Sequence, residues 1–562
     1  MLSPYFYSSS FPLFKKEIPF GWRLIVALLL ALALAPAVFS WPVMSGSSSA
    51  IAFPKGDQAA CFAGAFYFYQ DIWRFPLLNV RVPGIETPLN IVFTDSLPLL
   101  ALPFKLWFKL TGQMVNYTVI WLWICVFGQA IGALLLLEHL QLRRIPETIA
   151  GIVLAIVMPS FLFRYWLWHL ALCGQFVLIF GLVMYFRYDR PDRFAAVVAA
   201  WTALLVGALL IHPYIFAMEI PFFLLYGARK AALSQLGLRH AVALGLCVIS
   251  VVMGIMLTFG YVTVGRSIMR PDSGFGWFSM NLLAPLGAMG KSGLLPDSGH
   301  FATGGSPGQV EGFNYFGLGL LLGTIPALFA LVGRHGVAQR AALYRQWPLA
   351  AMALVLTAFA VSNRIYLGHY LVLDYTVPHF LENITGTFRS SGRFFWPVGY
   401  IVLAAVLMGI ARGFKPHISG WIFLLMASLQ WLDTSELRRV VVAEKPASAI
   451  SADPTWQHLV ATHPGIALYP PTQCLTVKPE ILASYSEEFQ MLAARYGRRI
   501  NSIHSARSTT DCEKYQDFLL KSDLPHDTLV VLFPPYDWAF VENKGWARYC
   551  HQYGEFLYCA LS

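Results

Sequence analysis

Long apolar runs dominate this chain and leave it few possible folds. Runs of roughly 17–25 residues, the length a helix needs to cross a hydrocarbon core about 30 Å thick, recur near residues 21–43, 117–138, 147–165, 170–186, 195–213, 216–228, 241–263, 314–333, 347–363, 394–411 and 418–434. They predict an all-α polytopic membrane protein with about eleven transmembrane helices. Composition agrees: 57% of the 562 residues are hydrophobic and 12% are charged. The mean hydropathy of +0.57 exceeds what a soluble core requires. A net charge of +10 would suit nucleic acid, but the basic residues lie thinly between apolar runs, where they set topology. The expected partners are therefore membrane lipids and no nucleic acid.

Topology follows from those basic residues. With a cytoplasmic N-terminus (1–20), the inner segments carry Lys15 and Lys16, Arg143 and Arg144, Arg187, Arg190 and Arg193, Arg229, Lys230 and Arg239, Arg334, Arg340 and Arg345, and Arg412 and Lys415. Every short inner loop is then basic, as the positive-inside rule demands, and an odd number of spans places the C-terminal tail outside. Residues 91–112, IVFTDSLPLLALPFKLWFKLTG, are left out of the count. Including them would invert every later loop, and Pro98, Pro103, Lys105 and Lys109 suit a helix lying on the outer membrane surface. The first run also fits a cleaved signal sequence, but its length and long polar lead favour an uncleaved anchor.

The chain divides into a membrane domain, 21–436, with an outer loop at 44–116, and a polar tail, 437–562. Strand-like GIALYPP and DTLVVLFPP and the helical pattern of EILASYSEEFQMLAARYG predict a small extracytoplasmic α/β domain in the tail. Cys474, Cys512, Cys550 and Cys559 lie in it, an even number in a compartment that permits disulfides. Four cysteines allow three pairings, and proximity favours Cys550 with Cys559. Cys61, Cys125, Cys173 and Cys247 lie in or beside apolar runs and read as buried thiols.

Individual polar residues at the outer ends of the spans carry the functional reading. Asp57, in FPKGDQAACF, follows the first span. A carboxylate near a membrane surface suits general-base work, and the alternative is a helix N-cap for the run after it. Asp95 reads as a cap of the surface helix, with Ser96 competing, or as a second acidic group of a cavity. Arg389 and Arg393, four apart, share a face if that segment is helical and could clamp a phosphate. His169, His212 and Arg164 sit at outer span ends, where they line a cavity or face headgroups. Glu219 falls inside a span, where a carboxylate is costly enough to be a functional candidate. Glu311 is a candidate carboxylate of the outer loop before the eighth span.

The order of an N-terminal span, an acidic outer loop, the surface helix TDSLPLLALPFKLWFKLTG and a span opening NYTVIWLWICVFGQ resembles the GT-C glycosyltransferases, such as the protein O-mannosyltransferases and the lipid A aminoarabinose transferase. HPY (212–214), EGFNYFGLG (311–319) and FRSSGRFFWP (388–397) resemble more specifically a bacterial family of unknown function placed in that superfamily. The resemblance implies a GT-C-like fold over residues 20–435 in a bacterial inner membrane, with the C-terminal domain periplasmic. It implies a polyprenyl-phosphate-sugar donor and a cell-envelope glycan, lipid or protein as acceptor. Asp57 would be the catalytic base or would help hold a divalent metal, Mg or Mn, with Asp95 as a second catalytic carboxylate. Arg389, Arg393, His169, His212, Glu219 and Glu311 would bind substrate. Two other classes fit the sequence: a transporter or lipid flippase, to which Glu219 and His212 point, and a non-catalytic scaffold whose outer domain binds the envelope.

Overall fold

The computed structural model of the 562-residue chain describes all residues except 1–15, 191, 234–236, 263–273, 297–304, 333–340, 342–343, 444–446, 476–478, 507–511, 514–523 and 561–562. Lys15, Arg334 and Arg340 of the inner loops therefore lie outside the described residues.

Each of the eleven apolar segments is helical. They form α1 (Phe20–Phe39), α4 (Thr118–His139), α5 and α6 (Ile145–Ile156 and Pro159–Trp166), α7 (Phe176–Phe186), α8 (Phe194–Ile211), α9 (Pro213–Ala232), α10 (Gly237–Phe259), α11 (Leu318–Val332), α12 (Trp347–Val361), α13 (Trp396–Gly413) and α14 (Pro416–Asp433). Among the described residues, seven helical stretches are long and apolar enough to cross a membrane alone: 20–39, 118–139, 145–166, 170–189, 194–211, 237–259 and 391–413. The other four segments are weaker for visible reasons. α11 and α12 have 15 residues each, α9 contains Glu219, Arg229 and Lys230, and α14 includes His417, Gln430 and Asp433. The protein is a multi-pass membrane protein.

Charge marks the two ends of this bundle. At one end Arg23 of α1 pairs with Glu138 of α4, Arg144 pairs with Glu147 at 2.8 Å, and Arg187 pairs with Asp192 at 3.0 Å. At the other end stand Asp57, His169, His212 and Arg393, together with the C-terminal domain. α10 is the least buried of the long helices. Cys247, expected to be buried, is exposed there beside Leu246 and Ile249, in an open groove between α10 and α8.

Two outer-loop helices shape the functional end. Asp57–Gln70 (α2) is buried along nearly its whole length, and Pro98–Thr111 (α3) packs on it. α3 is amphipathic, with Leu106, Trp107 and Leu110 exposed, as a surface helix requires. Its lysines depart from expectation. Lys105 is buried with its ammonium 3.9 Å from the Phe68 ring centroid and 4.6 Å from that of Trp73, donating to the Ile72 carbonyl. Burial pushes its pKa down to about 8. Lys109 donates to the Gln70 carbonyl. Both lysines tie α3 to α2 instead of meeting headgroups.

In the loop after α12, β1 (Arg364–Leu367) and β2 (Tyr370–Asp374) form a hairpin. The C-terminal domain has a five-stranded mixed sheet in the order β4–β3–β5–β7–β6, made of β3 (Gly465–Tyr469), β4 (Arg499–Ile500), β5 (Thr528–Leu532), β6 (Cys550–Tyr553) and β7 (Phe556–Cys559). β3 runs parallel to β4 and β5, and β7 antiparallel to β5 and β6. Cys550 and Cys559 face each other across β6 and β7 and are bonded, and Cys474 is bonded to Cys512. These disulfides suggest an extracytoplasmic domain.

That domain is docked on the first outer loop. Its helix α15 (Pro479–Arg495) packs along α2. Backbone bonds run from Ile500 N to Pro83 O (2.8 Å), Ala506 N to Phe93 O (2.7 Å) and Ser448 N to Phe53 O (2.9 Å). Gly84 makes the closest approach: its φ is +93°, and a Cβ there would stand 2.5 Å from the Ile500 carbonyl oxygen. Any side chain at this position would push the two parts of the molecule apart.

Candidate functional site

Asp57 opens α2 with Gly56 as the N-cap, and its carboxylate caps no helical N–H. The N-terminal end of the helix dipole favours a negative charge there. The carboxylate instead meets His169, with Oδ2 3.0 Å from Nε2. His169 reaches this position because α6 ends in a tight return: Trp168 takes φ 63°, and the His169 N–H bonds the Arg164 carbonyl at 3.0 Å. A bulky residue in the left-handed region costs about 1–2 kcal/mol, and strain of this kind collects at functional sites.

Asp95 does not cap the surface helix. It has φ 55°, ending a 3₁₀ turn, and α3 begins after Leu97 without a side-chain cap. Ser96 does not cap it either, since its hydroxyl donates to the Cys61 carbonyl of α2 at 2.7 Å. The turn instead directs Asp95 at His212, with Oδ1 3.3 Å from Nε2. The Tyr214 N–H donates to His212 Nδ1 at 3.1 Å. Nδ1 is thus an acceptor, which leaves the proton on Nε2, pointing at Asp95. Burial alone would raise the Asp95 pKa, but the His212 hydrogen bond and the charges of His169 and Arg393 hold it below the ordinary carboxylate range.

Glu311 joins the two sides of the site. Arg164 donates to its Oε2 at 2.7 Å and to its carbonyl at 2.9 Å, and Arg393 donates twice to Oε2, at 2.8 and 3.0 Å. Arg164 is fully buried, and Glu311 and Arg393 are nearly so. His169 Nδ1 lies 3.8 Å from Glu311 Oε1. Burial would raise this carboxyl too, and the two arginines and His169 hold it well below the usual range. One carboxylate between two guanidiniums leaves the cluster locally positive.

Arg389 and Arg393 do not share a face. Residues 391–395 form a 3₁₀ turn, which advances about 120° per residue, so the α-helical spacing of four does not align them. Arg393 turns inward over the Tyr214 ring, 4.8 Å from its centroid. Arg389 is exposed, 5.9 Å from the Phe278 ring centroid. Glu219 is also apart from the cluster. It is buried between α9 and α7 against Gly181, where a Cβ would not fit, and neither carboxylate oxygen has a partner among the described residues.

The C-terminal domain contributes a third carboxylate–imidazole pair that sequence reasoning missed. Glu487 of α15 meets His504, Oε1 to Nδ1, at 2.7 Å. Glu487 Oε2 lies 4.0 Å from where a Gly56 side chain would start, next to Asp57. His504 sits two residues before Ala506, whose N–H is tied to Phe93 beside Asp95. Burial would lower the His504 pKa, but Glu487, Asp57 and Asp95 raise it. Asp57 and Asp95 nevertheless keep 48% and 50% of their side chains accessible.

Among the described residues no three His, Cys, Asp or Glu side chains are grouped to hold a metal ion. Each carboxylate of the site faces an imidazole or a guanidinium, so the donor set does not fit a metal as arranged.

Residues 28–435 match the family described as Domain of unknown function (DUF6311), and residues 455–560 match the DUF6311 C-terminal domain. No curated protein and no solved structure matches the chain. The first match covers most of the chain, so the protein belongs to the DUF6311 family; neither match carries a GT-C assignment.

Proposed function

We propose that this member of the DUF6311 family is a GT-C-type glycosyltransferase of a bacterial inner membrane. It would transfer a sugar from a polyprenyl-phosphate donor to a cell-envelope acceptor on the periplasmic side. The observation that carries the reading is the pairing of accessible Asp57 with His169, next to the positive Arg164–Glu311–Arg393 cluster, at the outer end of the bundle.

In this reading the acceptor hydroxyl gives its proton to the Asp57 carboxylate as its oxygen bonds the anomeric carbon. The bond from that carbon to the donor phosphate oxygen breaks, and polyprenyl phosphate leaves with the electron pair. His169 fixes the orientation of Asp57, as an imidazole does for a catalytic carboxylate. Arg393, with Arg164 behind it, faces the charge that grows on the phosphate. Asp95, kept ionised by His212, is suited to accept hydrogen bonds from sugar hydroxyls. The C-terminal domain supplies the wall with Glu487 and His504, which puts the acceptor between the two parts of the molecule.

Transport or lipid flipping is the competing reading, and the observation that favours it is Glu219, a carboxyl buried in the bundle without a partner among the described residues. Incubating the purified full chain with a radiolabelled polyprenyl-phosphate sugar and envelope extract separates the two. Label on a new, larger product supports transfer. Unchanged donor that merely crosses a vesicle bilayer supports transport.

A further inference from the structure

The loop between α12 and α13 carries an apolar surface that the site does not use. All five residues of β2 are exposed. Tyr370 and Phe380 are each 79% exposed, and Leu367, Leu371, Val372, Leu373, Tyr375 and Ile384 are exposed as well. No charged residue occurs from 365 to 373.

Described contacts hold the hairpin along its β1 side. Buried Asn281 donates to the Gly368 carbonyl at 2.8 Å and accepts from its N–H at 3.0 Å, and the Leu282 N–H bonds the Tyr366 carbonyl at 2.9 Å. β1 is therefore backed by residues 281–282, and β2 is the outer edge. An apolar edge strand standing in water would be a hazard for aggregation.

Helix length identifies what covers it. α12 starts at Trp347, which is exposed, and its 15 residues rise about 22 Å at 1.5 Å per residue, against a hydrocarbon core of about 30 Å. Starting from Trp347, α12 brings the chain close to the outer boundary of that core, where the hairpin follows Val361. Leu354 and Val355 are exposed apolar residues of α12 itself. Tyr370 and Tyr375 are of the residue type that favours the membrane–water boundary.

We propose that the β1–β2 hairpin and the chain to Ile384 lie in the outer-leaflet interface and anchor this loop to the lipid surface. The segment leads directly into Ser390–Arg393, so the anchor holds the arginine wall of the site beside the bilayer. Non-helical backbone is tolerated at this level because the free edge of β2 reaches headgroups and water rather than the hydrocarbon centre.

The test attaches bimane to single cysteines replacing Leu371 or Leu373 in the full chain with Cys247→Ser, reconstituted in phosphatidylcholine vesicles. Bimane on native Cys247 gives the lipid-facing reference and Glu555→Cys the aqueous one. The expected result is blue-shifted emission, quenched by lipids carrying a nitroxide near the headgroup and little affected by iodide. Quenching by iodide but not by nitroxide lipids would place the hairpin in water and overturn the proposal. Protection from both quenchers, with Leu373→Cys crosslinking between copies, would make it a contact between two chains and overturn it equally.

Discussion

Replacing Glu311 with glutamine removes the carboxylate that, among the described residues, pairs with both Arg164 and Arg393, while keeping the shape of the side chain. Each arginine loses a charge-assisted hydrogen bond worth about 1.5–3 kcal/mol. Breaking a buried ion pair from one side costs about 3–5 kcal/mol, so the two estimates meet near 4 kcal/mol. That corresponds to nearly a thousandfold change in the folded-to-unfolded ratio. The assay is reversible unfolding of detergent-solubilised protein, followed by tryptophan fluorescence. Arg393→Met in the Glu311→Gln background should recover part of the loss, because only one buried cation is then left unpaired. The pH dependence follows from the same pair. The folded pKa of Glu311 lies below its unfolded value, so its stabilisation is fully present above the ordinary carboxylate range and is lost as the pH falls toward the folded value. Wild type should weaken on acidification below about pH 4.5, and Glu311→Gln should weaken less. A Glu311→Gln protein within 1 kcal/mol of wild type would refute the idea that this carboxylate holds two buried cations.

His504→Gln should remove a second pH dependence. A histidine whose folded pKa is raised stabilises fully below its unfolded value and loses that stabilisation as the pH rises through the folded one. Wild type should therefore lose stability from about pH 6.5 upward, whereas the variant should be flat there by the same unfolding measurement. Peptide mapping without reductant should recover Cys474–Cys512 and Cys550–Cys559. From their sequence separations of 38 and 9, serine substitution should cost about 4 and about 3 kcal/mol respectively on chain entropy, read from denaturation of the full chain. Arg393→Ala should raise the donor concentration needed for half-maximal transfer more than it lowers the maximal rate, and the reverse split would move Arg393 away from the donor phosphate.

Much of the fold was legible in apolar periodicity. Each long run is a helix, because a segment that must satisfy its backbone without water has little other choice. The residues of the site were legible singly, as polar groups at outer span ends, and Asp57, Asp95, His169, His212, Glu311 and Arg393 do converge. Their pairing was not legible. For Asp95 the local pattern suits a cap as well as a second acidic group of a cavity, and its left-handed backbone turns it toward His212, 117 residues away. The spacing of Arg389 and Arg393 implied a shared face only for an α-helix, and the chain forms a 3₁₀ turn there. Lys105 looked like a headgroup contact, but the aromatic rings of Phe68 and Trp73 provide it a buried seat. Glu487 and His504 were invisible, since no local motif marks them and only the docking of α15 on α2 brings them to Asp57. Glu219 stands out in the sequence as a carboxylate inside a span, and its place between α9 and α7 separates it from the other candidates.

Sugar transfer by the Asp57→Asn protein is the most direct measurement. The substitution keeps the size of the side chain and its contact with His169, and the residue is accessible, so folding should be preserved and is checked by the unfolding assay. With labelled polyprenyl-phosphate sugar and envelope extract, wild type should form a labelled product and Asp57→Asn should lose about two to four orders of magnitude in rate, the usual worth of a general base. A fully active Asp57→Asn protein would contradict the assignment of Asp57 as the base.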